Sequence, residues 1–247
     1  MKKVIKSIVK FLMIRQIIEF FLRLFRTIVS SNDLLHTMIS HVSFNIKNLF
    51  DLKIYHIPFF IAKTIDSNSI IIDCGSNVGV VVKPLLVYPA VFYCFEPNPT
   101  AFKQLTLNLG IRPNLHLLNK AVGSESKTAK LFKHVSSGEN ELMYSVSSSL
   151  LANKPNIDNT NFYEVEVINF VEFLSSLNQR VKILKVDIEG AEVELVNAIL
   201  DSGMEKMIDY IFIETHENTI PELFEPTLAL EKRTMALNIK NIYYNWA

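Results

Sequence analysis

From residue 69 onward, short apolar runs alternate with amphipathic segments. Runs that are apolar throughout are typical of strands buried on both faces, as in a parallel sheet between layers of helices. The predicted strands are residues 69–74, 91–96, 115–122, 181–188, 209–215 and 241–246. The predicted helices are residues 80–88, 100–109, 169–177, 191–201 and 221–237. The pattern therefore predicts an α/β fold with a mostly parallel central sheet.

The alternation is interrupted between the third and the fourth strand. Residues 128–134 and 163–168 predict the two strands of an inserted hairpin. The Ser- and Asn-rich residues 145–160 between them predict a long loop. Long loops in compact domains often carry function, so this loop is a candidate part of a binding site.

The N-terminal residues 1–29 mix apolar positions with charges that include Lys10, Arg15, Glu19 and Arg23. Neither a membrane span nor a secretory signal carries so many charges inside its apolar stretch. Helical spacing predicts two amphipathic pieces instead, with a change of register near residues 13–15. Such a segment either lies on an anionic membrane surface or docks on protein. We expect a helical N-terminal extension over residues 1–66 and the main domain over residues 67–247.

The formal net charge of zero, from 25 basic and 25 acidic residues, hides a segregation of charge. Residues 1–29 hold seven basic residues and one acidic residue, which gives them +6 and leaves −6 on the rest. An acidic main domain without a basic, aromatic-rich face argues against a nucleic-acid partner. Cys74 and Cys94 lack the spacing of a disulfide framework or a metal site, and neither is predicted. We expect a cytoplasmic protein whose residues 1–29 are its candidate contact with the inner face of the membrane.

A glycine-containing turn follows the first predicted strand, and it carries the first chemical signal. The turn runs from Asp73 through Gly75 and Asn77 to Gly79, and Glu96 ends the next strand. Glycine lets a ligand approach backbone that a Cβ would block, and a carboxylate at the adjacent strand end can accept both hydroxyls of a ribose. The sequence therefore predicts a nucleoside-type cofactor at this turn.

Two cofactors compete for this turn, a nicotinamide dinucleotide and S-adenosylmethionine (SAM). The dinucleotide fingerprint G-x-G-x-x-G is absent, because Gly75 and Gly79 are separated by three non-glycine residues. Asp73 would face a pyrophosphate unfavourably, but its negative charge suits a sulfonium and an ammonium. SAM fits the turn better than a dinucleotide.

A second acidic cluster follows the fourth predicted strand, where Asp187 and Glu189 stand at the crevice in which open α/β sheets bind ligands. Glu214 and His216 follow the fifth strand and are expected on the same rim. These four residues are the candidate catalytic residues, because transfer to an unactivated hydroxyl needs a proton acceptor. The alternative for Glu189 is a favourable charge at a helix N-terminus, and for His216 a surface position.

The residues of both clusters resemble a known family, the FkbM-type SAM-dependent methyltransferases. The resemblance covers residues 69–247 and does not include the N-terminal extension. It rests on IIDCGSNVG at 71–79, FEPNP at 95–99, NKAVG at 119–123, SSSL at 147–150, VEVINFVEFL at 165–174, KVDIEGAE at 185–192 and FIETH at 212–216.

The resemblance implies a class I methyltransferase (Rossmann-like) fold and an enzyme that moves the SAM methyl group to a hydroxyl. In this family the acceptor is often a sugar of a polysaccharide or natural product. Implied cofactor-binding residues are Asp73, Gly75, Asn77, Gly79, Glu96, Asn98, Ala121 and Asp187. Glu96 would bind the ribose, Asn98 and Ala121 would lie near the adenine, and Asp187 beside the methionine end.

The serine-rich loop is the candidate acceptor site. Ser147, Ser148 and Ser149 could donate and accept hydrogen bonds to a sugar, and the alternative is a flexible polar loop. The chain departs from the family where Pro84 shortens the first helix, and where it ends soon after the sixth strand, so the usual seventh strand is expected to be missing or reduced. Two other functions stay open: a non-catalytic scaffold with a SAM fold, and a nicotinamide-dependent oxidoreductase.

Overall fold

The structure is a computed structural model that describes residues 59–145, 148–152, 154 and 156–244. The described residues from 60 onward belong to one compact unit. The predicted extension over residues 1–66 lies almost entirely outside the described residues, as does the candidate membrane segment 1–29, and both stay predictions. No helix among the described residues is long and apolar enough to span a membrane.

Nine strands are numbered in chain order and form two sheets within the described residues. They are β1 Ile70–Cys74, β2 Val91–Phe95, β3 Leu115–Leu118, β4 Ala121–Gly123, β5 Lys127–His134, β6 Ile157–Asn169, β7 Val181–Val186, β8 Ile208–Ile213 and β9 Ile242–Tyr244. The central sheet has the order β3-β2-β1-β7-β8-β9, and every pair in it is parallel. This is the order of the Rossmann-type doubly wound fold, which confirms the predicted parallel sheet. Within the described residues the sheet ends at β9, without a seventh strand.

The helices occupy most of the predicted segments. They are α1 Phe59–Ala62, α2 Pro99–Leu109, α3 Glu141–Tyr144, α4 Phe170–Ser176, α5 Glu192–Asp201 and α6 Phe224–Ala236, with short 3-10 helices at Lys83–Val87, Met204–Met207 and Pro221–Leu223. Asn98 caps α2 and Asn169 caps α4, each with a side-chain oxygen that accepts two backbone N–H groups. These caps fix the helix starts next to the ends of β2 and β6.

The first predicted helix, residues 80–88, is not an α-helix and contains only the 3-10 helix Lys83–Val87. Pro84 lacks the backbone N–H that a longer α-helix would use. Gly79, at a φ of +87°, turns the chain against Leu105 and Leu109 of α2, where an added Cβ would lie 2.8 Å from a Leu105 methyl carbon. The connection from β1 to β2 is therefore held in place by its packing on α2, and it does not contain a regular α-helix.

The third predicted strand, residues 115–122, is wrong as a single element. It splits into β3 in the central sheet and β4 in a second sheet of order β4-β6-β5. The Asn119 side chain donates to the backbone oxygens of Glu96 and Pro97, at 2.8 and 3.1 Å, where the chain leaves the central sheet. Side-chain bonds of this kind compete with the regular ladder and end a strand.

The second sheet confirms the inserted hairpin. β5 and β6 pair antiparallel with a register shift between Phe132 and Lys133, and β4 pairs parallel with β6. β6 begins at Ile157, so the last part of the predicted loop 145–160 is strand. This sheet brings β4 and β5 to the carboxyl edge of the central sheet.

Aromatic side chains pack α4 against the end of β2. Phe170 packs edge-to-face on Phe95 with ring centroids 6.2 Å apart, and Phe173 packs on the same ring at 5.1 Å. Both Phe95 and Phe170 are at most 1% exposed. Because Phe95 is the last residue of β2, this packing fixes the strand end from which the candidate site is built.

We predict that Leu105→Ala lowers the free energy of unfolding by about 2–5 kcal/mol, because it leaves a cavity under the turn at Gly79. Leu105 is fully buried. The matched control is Leu107→Ala in the same helix, where the side chain is 69% exposed and the expected change is within about 0.5 kcal/mol. Urea denaturation followed by circular dichroism measures both, and equal losses would contradict the packing described here.

Candidate active site

The carboxyl ends of β1, β2, β7 and β8 border a cavity of about 270 Å³. A crevice beyond the strand ends is where open α/β sheets bind ligands. The second sheet and the segment between α3 and β6 complete the wall. The lining residues are Gly75, Asn77, Phe95, Glu96, Pro97, Lys120, Ala121, Val122, Leu131, Ser145, Ser148, Leu150, Asp187, Ile188, Glu189 and Glu214.

The turn after β1 passes close to the end of β7 at Gly75. Gly75 has a φ of +78°, and a Cβ there would stand 1.7 Å from the backbone oxygen of Asp187. The N–H groups of Gly75 and Ser76 both donate to the Phe95 oxygen at 2.9 Å, and the Asp187 N–H donates to the Cys74 oxygen at 3.1 Å. The turn is thus held by backbone of both neighbouring strands, in a conformation that only glycine allows.

Glu96 follows β2 and is 5% exposed. One carboxylate oxygen accepts the Asn77 N–H at 2.8 Å, and the other accepts the Asn98 N–H at 2.7 Å. Burial raises the pKa of Glu96, these two hydrogen bonds partly offset the rise, and the pKa is about 7. The carboxylate is therefore fixed in orientation beside the glycine turn, with a second lone pair on each oxygen available to a ligand.

A buried ammonium connects the two acidic strand ends. Lys185 in β7 is 3% exposed, and its Nζ lies 3.1 Å from an oxygen of Asp73 and 3.1 Å from an oxygen of Asp187. The same Nζ donates to the Gly75 oxygen at 2.6 Å. Burial lowers the pKa of Lys185, but the charges of Asp187 and Asp73 outweigh it and the pKa is raised. The three side chains together carry a charge of −1 when both carboxylates are ionised.

His216 stands behind the acidic strand ends, and its side chain is 10% exposed. Its Nε2 lies 3.4 Å from Glu189 and 3.8 Å from Asp187, and its Nδ1 lies 3.0 Å from Glu192. Burial lowers the pKa of His216, but the contact with Glu192 and the charges of Glu189 and Asp187 outweigh it and raise the pKa to about 9. At neutral pH His216 therefore carries a proton and attracts the carboxylates around it.

Glu189 has partners on both its side chain and its backbone. Its backbone has a φ of +57°, its Oε2 lies 2.5 Å from the Lys154 Nζ, and its backbone oxygen accepts the Ser149 hydroxyl at 2.6 Å. Burial raises the pKa of Glu189, and His216 and Lys154 partly offset the rise. A carboxylate with a raised pKa is a better proton acceptor than an exposed one.

The loop that carries Glu189 is fixed by Glu192, a residue of α5 that is 1% exposed. The Glu192 carboxylate accepts the N–H of Ile188 at 2.8 Å and the N–H of Gly190 at 3.0 Å. These bonds satisfy two donors ahead of the helix. The loop therefore keeps its unusual backbone without help from a ligand.

Serine side chains join the turn after β1 to the segment that follows α3. The Asn77 side chain donates to the Ser145 hydroxyl at 3.2 Å, and the Asn98 side chain donates to the Ser148 hydroxyl at 3.2 Å. The backbone of Ser149 forms an isolated antiparallel bridge to Phe132 of β5. The segment thus covers the side of the cavity that Asn77 and Glu96 line.

A divalent cation could find three ligand atoms within 4.8 Å of one another on Asp187, Glu192 and His216. The chemistry of the set favours ion pairing instead. Both Glu192 oxygens already accept backbone N–H groups, and protonated His216 and Lys185 place positive charge beside the carboxylates. A metal ion is not needed to account for this cluster.

Most of the predicted site residues meet at the cavity. Gly75, Asn77, Glu96, Ala121, Ser148, Asp187, Glu189 and Glu214 line it. Asp73, Gly79, Asn98, Ser149 and His216 do not line it and lie behind the wall or in the turns that shape it. Ser147 lies outside the described residues.

Sequence reasoning missed Lys154, Lys120 and Glu192 as parts of the site. Lys185 could have been recognised, because it stands two positions before Asp187 on a strand and therefore points to the same face. Lys154 reaches Glu189 from a loop 35 positions away in sequence, and no local pattern marks such a contact.

The chain is similar in sequence to known methyltransferases. The profile of the family described as "Methyltransferase FkbM domain" matches residues 73–235. A curated protein named Methyltransferase 1, from Beauveria bassiana (strain ARSEF 2860), is 25% identical over 183 residues, which cover 66% of this chain and 73% of that protein.

A solved structure of a methyltransferase FkbM, from Methylobacillus flagellatus KT, aligns with a TM-score of 0.45 and 10% sequence identity. The alignment covers 90% of this chain and 52% of that one, so this chain spans about half the length of the solved protein. The family profile covers more than half of this chain, from the end of β1 into α6. The chain belongs to the FkbM family of methyltransferases.

Proposed function

We propose that this methyltransferase binds SAM in the cavity and methylates a hydroxyl group of a carbohydrate. The observation that carries the proposal is a pair of carboxylates on the two sides of one glycine turn. Glu96 follows β2 and Asp187 follows β7, and these two strands are the neighbours of β1, which leads into the turn. One carboxylate suits a ribose and the other suits a positive charge.

The residues present fit this cofactor. The carboxylate oxygens of Glu96 are held 2.8 and 2.7 Å from backbone donors, in the place where a ribose would lie over Asn77. Asp73 is 2% exposed and pairs with Lys185 behind the cavity wall, so it would act on the cationic end only through its charge and by holding Lys185 in place. Gly75 and Ala121 add no bulky side chain to the cavity wall.

When bound, SAM supplies a methyl group on a sulfonium, which is already activated for transfer. The protein then has to align the acceptor oxygen, exclude water and receive a proton. We assign proton acceptance to Glu189, whose pKa is raised by burial and which lines the cavity. His216, with a pKa of about 9, is already protonated at neutral pH and holds Glu189 and Asp187 in place. Asp187, paired with Lys185, orients the cofactor.

The lining of the cavity also suits a sugar. Glu214 offers an acceptor, and Leu131 and Leu150 provide an apolar surface. Ser148 contributes a hydroxyl next to the cofactor side, where it accepts from Asn98. A ring with hydroxyl edges and a less polar face is complementary to such a wall. The serine loop predicted from the sequence contributes Ser148 directly and Ser149 through its bond to the Glu189 backbone.

The cofactor class is tested by calorimetric titration with SAM, S-adenosylhomocysteine (SAH) and NAD. We expect binding of SAM and SAH and none of NAD. Glu96→Gln should weaken SAM binding about tenfold to a hundredfold, because hydrogen bonds to a charged acceptor are lost. Glu164→Gln, on the exposed face of β6, is the matched control and should bind as the wild type does. Binding of NAD without SAM would point to the oxidoreductase, and binding of neither to the scaffold.

The affinity for SAM should depend on pH through Glu96. Its pKa in the free protein is about 7, so the carboxylate is protonated below that pH and ionised above it. A ribose hydroxyl donates to the ionised form, and SAM affinity should therefore fall as the pH drops from 7.5 to 5.5, by up to about tenfold per pH unit below 7. Glu96→Gln should lose this slope. A slope that persists in the variant would assign the proton to another group.

Substitutions at Asp187 and Glu189 should have different effects on SAM binding and on turnover. Asp187→Asn should abolish transfer of labelled methyl from SAM to a panel of glycans and weaken SAM binding. Glu189→Gln should reduce kcat about a hundredfold or more and leave SAM affinity within about twofold. Thermal melting controls for folding in both variants. Full turnover by Asp187→Asn would refute the site, and full turnover by Glu189→Gln would refute its role as proton acceptor.

A further inference from the structure

Four aliphatic side chains on one flank of the molecule are more than half exposed to solvent. Val80, Val87, Leu107 and Ile111 are 63%, 80%, 69% and 98% exposed. We call these four residues the flank patch. Single exposed aliphatic residues are ordinary, but a group of them in one place marks an interaction site.

Hydrogen bonds place the four residues in one neighbourhood. The Asn108 side chain donates to the Val78 oxygen at 2.8 Å, and the Arg112 guanidinium donates to the Leu86 oxygen at 3.4 Å. Further along, the Asn114 side chain donates to the Ala90 oxygen at 2.6 Å. Residues 78–90 therefore run beside residues 105–114, and each of the two segments contributes two residues to the flank patch.

The charge around the flank patch has one sign. Lys83, Lys103 and Arg112 are exposed on the same two segments. Residues 75–124 contain a single acidic residue, Glu96, and it is buried beside the cavity with both oxygens accepting N–H groups. The flank therefore presents a positive surface although the main domain as a whole is acidic.

Val87 and Ile111 lie just before β2 and β3, at the amino end of the central sheet. The cavity lies at the opposite, carboxyl end, so contact at the flank patch leaves the cavity accessible. Within the described residues β3 is the outer strand of the sheet, next to this flank.

We propose that the flank patch docks the protein on an anionic lipid surface, independently of the reaction in the cavity. Aliphatic side chains enter the boundary between headgroups and acyl chains, and Lys83, Lys103 and Arg112 attract anionic headgroups. Aliphatic residues offer no stacking surface for nucleic-acid bases. A symmetric dimer through this face would bring two positive surfaces together, which disfavours a second copy.

The test is co-sedimentation of the full chain with vesicles of phosphatidylcholine alone and of phosphatidylcholine with phosphatidylglycerol at about three to one. The wild type should bind the anionic vesicles, and less at high salt. Val87→Ser with Ile111→Ser should lower the partition coefficient about tenfold. Lys83→Gln with Arg112→Gln should lower it about fivefold per residue removed.

The matched control is Met207→Ser with Leu237→Ser, two exposed apolar residues outside the flank patch, which should bind as the wild type does. All variants keep residues 1–58, so attachment through that segment is the same in each. Unchanged binding of both flank variants would overturn the proposal, as would equal losses in the control or equal binding to neutral vesicles. A wild-type dimer that Val87→Ser with Ile111→Ser dissociates, without vesicle binding, would assign the patch to a second copy.

Discussion

The buried ammonium of Lys185 is the interaction on which the carboxyl edge of the sheet depends. β1 and β7 are neighbours, and each brings a carboxylate to the same edge, Asp73 on one and Asp187 just past the other. Without a cation between them, two acidic groups in a poorly hydrated place would repel each other and resist ionisation. Lys185 removes that conflict and also bonds the oxygen of Gly75. The same ammonium therefore holds the carboxylates of Asp73 and Asp187 and the glycine turn after β1 in fixed positions relative to one another.

A second set of bonds holds the loop after β7 from α5 on one side and from the segment between α3 and β6 on the other. Glu192 satisfies the backbone of the loop after β7, and Ser149 donates to the same loop from a position 40 residues earlier. Lys154 pairs with Glu189 from the same side. Buried polar groups that are fully partnered in this way define one arrangement of the loop. The proposed proton acceptor thus stands on backbone held from both walls.

The central sheet could be predicted because its strands are continuous apolar runs, and strand ends follow from where such runs stop. The acidic residues of the site could be predicted for the same reason, since Asp73, Glu96 and Asp187 stand at those ends. The split of residues 115–122 could not, because Val122 is as apolar as Leu117 and the break depends on where the Asn119 side chain finds its acceptors. The protonation of His216 was equally hidden, because Glu192, Glu189 and Asp187 surround it only in the folded chain.

The pairing of β4 with β6 has a consequence for how the cavity wall can change. β4 and β6 are parallel partners, and the chain between them makes an excursion through β5 and α3 before it returns. The entropy needed to close such a loop grows only with the logarithm of its length. Residues between β5 and β6 that make none of the bonds to Glu189 can therefore be inserted or deleted at small thermodynamic penalty, while the register of the six central strands is untouched. This part of the cavity wall is the part of the architecture most open to divergence.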